Sequence, residues 1–350
     1  MIDQVGAPVM VALIGFGGGL MLGLAARLGR FCTLGAIEDL LYASSDTRIR
    51  MWGVAIGVAV TGSFALIGLG GLDVGRTLYL GQTWWPAASV LGGLMFGYGM
   101  ALSGNCGFGA LARLGGGDMR SFVVVLVMGL ASYATVSGPL AHVRVWAFPM
   151  ERADSAPGAA HLLGDLTGLA PAVIGIAVGL AILAFSATGG GLRHDRKALF
   201  WAIVVGLAVV SGWAGTQWVA TESLGATPVV THTFSAPPGE TMLWLMTASG
   251  TKLSFGVGSV AGVLCGAFVG SLFKGHFRWE ACEDPRELKR QILGAAIMGV
   301  GAVIAAGCTV GQGISAFSLL AFSAPVTCLA ILAGAAIGLK QLISGFRSEV

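Results

Sequence analysis

Residues 8–27 read PVMVALIGFGGGLMLGLAAR, an unbroken apolar run closed by a single arginine. A helix of that length reaches about 30 Å, the thickness of a bilayer's hydrocarbon core. Similar runs recur along the chain, and the spans read roughly 8–27, 51–71, 86–103, 121–141, 171–187, 199–219, 254–273, 290–306 and 325–343. Hydrophobic residues make up 55% of the 350 residues and charged ones 11%, with a mean hydropathy of +0.82. An ordinary soluble domain carries roughly 25% charge, so a soluble enzyme and a disordered chain are both excluded. A membrane barrel would show alternating segments of about ten residues. The expected fold is an all-α polytopic membrane protein with about nine transmembrane helices. The first span is not a cleavable signal peptide, because Met1, Ile2 and Asp3 supply no basic residue and the apolar run is long.

Charge sets the expected orientation. Alternating the sides of successive spans puts 16 Lys and Arg residues on one side and Arg76, Arg144, Arg152 and Lys252 on the other. The positive-inside rule makes the richer side cytoplasmic. The N-terminus is then outside, and the C-terminus is cytoplasmic.

Four connections, 29–44, 104–117, 240–252 and 307–323, are too apolar for ordinary loops. Each reads as a re-entrant half-helix segment, tolerated at membrane depth only inside protein or beside water. They follow spans 1, 3, 6 and 8. The chain therefore reads as one transport domain of two inverted pseudo-symmetric halves, 1–145 and 196–350, around an outer loop and linker helix, 146–195.

Glycine is abundant, at 57 residues, and small residues let membrane helices approach closely. Three cysteines share the pattern G-x-[GA]-x6-C-x-x-G, at Gly23 to Gly35, Gly97 to Gly109 and Gly299 to Gly311. Each Cys, at 32, 106 and 308, falls where a span meets a re-entrant segment. Cys265 lacks the final glycine and lies inside a span, so it reads as a packing residue, as does Cys328. Cys282 sits in a charged stretch and reads as incidental. The six cysteines do not read as a disulfide framework, since their surroundings are mostly apolar and the chain is neither short nor evidently secreted. Glycine lets a backbone approach a ligand, and the start of a half-helix is an anion site. A neutral thiol adds a soft, polarizable contact. Together these suit a small anion with a sulfur end.

The segments Arg30-Phe-Cys32-Thr-Leu-Gly-Ala-Ile-Glu38-Asp39-Leu, Ala101-Leu-Ser-Gly-Asn-Cys106-Gly-Phe-Gly and Ala306-Gly-Cys308-Thr-Val-Gly311-Gln312-Gly313 resemble the YeeE/YedE sulfur transport family. The Phe277-Arg-Trp-Glu-Ala run resembles it too. The resemblance implies thiosulfate uptake, or uptake of a closely related sulfur anion, across a bacterial inner membrane. It implies nine spans with re-entrant loops and a narrow path lined by Cys32, Cys106 and Cys308. It also implies a small cytoplasmic sulfurtransferase-like carrier as partner. On this expectation the ion meets Cys308 first, then Cys106, then Cys32.

Gly35, Gly109, Gly311, Gln312, Glu38 and Lys252 are the supporting candidates. Glu38 and Asp39 are expected to pair with Arg27 or Arg30, or to carry protons. Gln312 either donates to the ion or bonds backbone. Lys252 either attracts anions or is an interfacial charge. Trp84, Trp85, Trp146 and Trp218 read as interface anchors. No G-x-x-x-x-G-K-[ST] is present, the five His residues form no i, i+4 pair, and no cofactor, metal or nucleic-acid partner is expected. Two readings compete with a transporter: a membrane sulfurtransferase using a Cys persulfide relay, and a membrane scaffold that docks the carrier through 274–290.

Overall fold

The computed structural model describes residues 6–348, except 150, 154, 155, 157, 190, 282 and 283. Met1 to Asp3 and Cys282 therefore lie outside the described residues. The long helices are α1 (Ala7–Leu28), α3 (Thr47–Gly68), α4 (Pro86–Ser103), α6 (Met119–Val136), α9 (Pro171–Thr188), α10 (Arg196–Glu222), α12 (Phe255–Phe273), α13 (Pro285–Ile304) and α14 (Ser323–Ser348). Short helices lie between them: α2 (Thr33–Tyr42), α5 (Gly107–Gly115), α7 (Ala141–Ala147), α8 (Ala159–Thr167) and α11 (Pro237–Thr247). Among the described residues, eight segments are long and apolar enough to cross a membrane. The protein is a multi-pass, all-α membrane protein. The expected span 290–306 falls on α13, a full-length helix whose first turns carry Arg286, Glu287, Lys289 and Arg290.

Helix starts follow local chemistry. Asp118, Asp195, Ser254 and Asp284 cap α6, α10, α12 and α13 by accepting from backbone N–H groups one turn in. Proline opens α4, α9, α11 and α13, where a missing N–H does no harm.

Glycine rows then decide which helices touch. Gly15, Gly19 and Gly23 of α1 lie against the backbone of Phe255, Ser259 and Val263 of α12. In return Gly258, Gly262 and Gly266 lie against Ala12, Phe16 and Leu20. A four-residue spacing keeps each row on one helix face, so the two backbones meet along their length. Gly92 and Gly99 of α4 meet Gly301 and Gly294 of α13 in the same way, while Gly93 and Gly97 receive α14.

The contacts are paired. Helix α1 packs on α12 as α10 packs on α3, and α4 packs on α14 as α13 packs on α6. Helix α2 touches α3 and α14 as α11 touches α12 and α6. Helix α9 lies outside this scheme, against α3.

Three of the stretches expected to be re-entrant carry the short helices α2, α5 and α11. Helix α11 begins at Pro237, before the expected 240, and its far turn is exposed at Leu245 and Met246. The fourth, 307–323, is not a regular α-helix. A π-helical turn, Gly311–Ala316, runs into a 3-10 turn, Phe317–Leu319. Its core residues Ile314, Ala316 and Leu319 are fully buried. The 146–195 region also carries α8, which its composition did not announce.

Replacing Gly258 by Val drives a side chain into the Ala12 backbone and is expected to destabilise the bundle by about 1–3 kcal/mol. Gly17→Ala is the control, since a Cβ there meets nothing within 4 Å. Melting of both variants in lipid nanodiscs checks this: Gly258→Val lowers the midpoint, and Gly17→Ala leaves it in place.

Candidate functional site

Each of the three cysteines stands at the start of a short helical segment. Cys32 is the N-cap of α2, and Cys106 is the N-cap of α5. Cys308 immediately precedes the helical residues that lead into the π turn. Two positions before each Cys the backbone is left-handed: Arg30 at φ 55°, Gly104 at φ 74° and Ala306 at φ 52°. Such a residue ends a helix and turns the chain. A long helix stops, the chain reverses into the bundle, and a Cys begins the next helix.

The glycine three residues on makes a close approach possible. Gly109 N–H donates to Cys106 Sγ at 3.3 Å, and Gly311 N–H donates to Cys308 Sγ at 3.4 Å. The Phe234 N–H also donates to Cys308 Sγ, at 3.2 Å. A Cβ at Gly311 would crowd the Thr233 hydroxyl at 2.5 Å and the Tyr79 hydroxyl at 3.2 Å. One at Gly35 would collide with the Arg48 guanidinium. Cys32 has no such cap bond.

The three thiols gather although they are far apart in sequence. Cys106 is the middle one, close enough to feel both Cys32 and Cys308. Cys106 and Cys308 are 0% exposed. Cys32 is half-buried and lines a cavity of about 350 Å³. Arg27, Arg30, Arg48, Arg113 and Lys274 also line that cavity, with Glu38 its only carboxylate among the described residues. The excess of cations makes it attractive to anions. Burial, and then the nearby Arg30, Arg27 and Lys197, lower the Lys274 ammonium below its ordinary value. Its Nζ donates to the Arg27 and Leu28 carbonyls at 2.6 and 3.3 Å, so it also closes the end of α1.

A second cavity of about 80 Å³ lies toward Cys308, lined by Tyr79, Trp84, Trp85, Arg144 and Gln312, among others. Gln312 bonds backbone, its Nε2 donating to the Ala305 and Ala306 carbonyls at 2.8 and 3.3 Å. Neither cavity is lined by Cys106 or Cys308.

Some expected contacts are different. Asp39 pairs with Arg48 at 3.2 Å and not with Arg27 or Arg30, because α2 leans its outer turn toward the start of α3. Glu38 faces the basic cavity near Arg113 and Arg48. Lys252 is exposed on the α11–α12 connection and lines none of the cavities described here. Cys265 is exposed on α12 and does not serve core packing, since the glycine rows turn the other face of that helix inward. Cys328 borders a separate apolar cavity of about 270 Å³ behind α2, with Trp52 and Thr309. The Phe277–Ala281 run is tied to the bundle, where Met119 N–H donates to the Glu280 carbonyl at 3.0 Å and Arg120 meets Glu280 at 3.4 Å.

The sequence did not single out Tyr79, Thr233, Thr33 or Thr309. Tyr79 and Thr233 lie on irregular connections without a motif. The two threonines next to Cys32 and Cys308 carried a signal in the shared Cys-Thr-x-Gly.

The family model for sulphur transport matches residues 28–337, which include all three cysteine segments. The chain belongs to the sulphur transport family. Two curated relatives extend the match. The thiosulfate transporter TsuA of Spirochaeta thermophila is 26% identical over 322 residues, covering 87% of this chain and 91% of the relative. The thiosulfate transporter TsuA of Escherichia coli is 26% identical over 318 residues, covering 85% and 84% respectively. Membership in this family accords with a chain that is a transporter rather than an enzyme.

The burial pattern predicts an order of reactivity. Of the three site cysteines, a water-soluble, negatively charged thiol reagent should modify Cys32 and leave Cys106 and Cys308 intact in the folded protein. Peptide mass spectrometry reads the order, and modification of Cys308 ahead of Cys32 would contradict the two-cavity geometry.

Proposed function

We propose that this protein takes up thiosulfate, passing it between the two cavities along Cys308, Cys106 and Cys32. The carrying observation is the convergence of three thiols from three separate re-entrant segments between a basic cavity and a smaller one at the Cys308 side. The names of the two relatives support thiosulfate as the ion. The paired contacts of α1–α6 with α10–α14 support two inverted halves, 1–145 and 196–350, with α9 as linker.

The basic cavity opens on the cytoplasm in this reading. The positive-inside count supports that orientation, with the N-terminus outside and the C-terminus within. The membrane is the bacterial inner membrane. The ion enters by the Tyr79–Gln312 cavity and leaves among the arginines, where water and cations welcome it. A cytoplasmic sulfur carrier fits the basic mouth as the acceptor.

Chemistry favours neutral thiols for the middle of the path. An ion leaving water loses strong hydration, and the protein must replace some of it. Each S–H is a weak donor and a polarizable contact. The backbone N–H groups at the starts of α2 and α5 add positive partial charge. These contacts are individually weak, which transport needs, since a site that holds too tightly does not release. A thiolate would repel the ion.

Liposomes loaded with purified protein should accumulate sulfur-labelled thiosulfate. Cys106→Ala should abolish uptake, and Cys265→Ala should leave it at the wild-type rate. Equal uptake by wild type and Cys106→Ala would remove the thiol path. Wild-type protein that moves no thiosulfate, yet acquires persulfide on Cys32, would favour the sulfurtransferase reading instead.

A further inference from the structure

We propose that Thr33 and Thr309 bind the ion beside Cys106 and select for an anion that carries oxygen as well as sulfur. The proposal rests on the thiol path described above. Each threonine follows a path cysteine directly, yet each reaches the neighbouring thiol at the centre. Thr33 Oγ1 lies 4.0 Å from Cys106 Sγ. The Thr309 hydroxyl is close enough to act on the same thiol. Thr309 is only 3% exposed, and its Oγ1 makes no well-formed hydrogen bond.

Their position keeps these hydroxyls from the usual backbone partner. A threonine inside a helix usually bonds the carbonyl four residues back. Thr61, Thr135, Thr216 and Thr241 do so here, at 2.7–2.8 Å. Thr33 and Thr309 stand in the first turn, just after the chain has reversed, and no such bond forms. Position 107, the counterpart after Cys106, is glycine, and a Cβ there would press on Met128 at 2.6 Å. The centre thus receives one hydroxyl from each flanking segment and none from its own.

At Thr309 a buried hydroxyl without a partner is costly, and a ligand that offers an acceptor removes the cost; Thr33 is half-buried and has only the weak sulfur contact to give up. The oxygens of a sulfur oxyanion are such acceptors. The thiol meets the soft sulfur end while the hydroxyls meet the oxygens. Sulfate offers only the hard end, and hydrosulfide only the soft one. A site that hydrogen-bonds one substrate group rejects analogues that lack it. Two hydroxyls and a thiol at one point therefore read for an ion that has both ends.

The test uses full-length protein in liposomes, with labelled thiosulfate and hydrosulfide as competitor. Thr33→Val and Thr309→Val should each raise the thiosulfate KM about tenfold, the loss of one hydrogen bond to a charged group. The inhibition constant of hydrosulfide should stay unchanged, because it has no oxygen to lose. Thr309→Ser keeps the hydroxyl and should keep the wild-type KM. If either Val variant fails to fold, the other Val variant, read against Thr309→Ser, decides the matter. Val variants with wild-type KM, alongside an inactive Cys106→Ala, would overturn the proposal while leaving the thiol path in place. A fall in Vmax with unchanged KM would also overturn it, as a structural effect. Loss of thiosulfate uptake in the wild type would instead strike the reading on which it rests.

Discussion

A helix that begins inside a bundle must find partners for the backbone N–H groups of its first turn. Much of this structure follows from how its short internal segments meet that demand. At Cys106 and Cys308 the partner is sulfur, a weak acceptor, approached at 3.3 and 3.4 Å. At α11 the demand is removed instead. Pro237 and Pro238 follow Ala236 and have no N–H to satisfy. Two segments thus start with a donor only loosely engaged, the one at Cys32 starts without a side-chain cap, and the fourth starts with donors deleted.

Close backbone contact is the second requirement. The glycine rows of α1 and α12, and of α4 and α13, pull the long helices together. Larger residues there would push the bundle apart and separate the segments that bring the thiols together. The same glycines turn the other face of α12 outward, which is why Cys265 is exposed although it sits in a helix as apolar as its neighbours.

The long helices were legible in the sequence because length and apolarity are local properties. The three cysteine junctions were legible for a related reason. Reversal, cap and approach each need a residue type at fixed spacing, and repetition made the pattern visible. What the sequence withheld depends on contacts between distant segments. Asp39 chose Arg48 over Arg27 and Arg30 through the packing of α2 on α3. The Phe234 N–H reaches Cys308 from an extended strap that has no local signature. The π turn at Gly311–Ala316 arises in a run that reads equally well as α-helix. Gln312 was open between ion and backbone, and its amide is seen bonded to two carbonyls.

Cys106 and Cys308 have no exposed surface, and the two cavities stop on either side of them. Electrical insulation follows from that gap. Chloride is a common ion around membrane proteins, and a continuous thread of water would conduct it. The closed interval between the cavities gives that ion no chain of solvent to follow. Many copies can then sit in an energised membrane without draining its voltage.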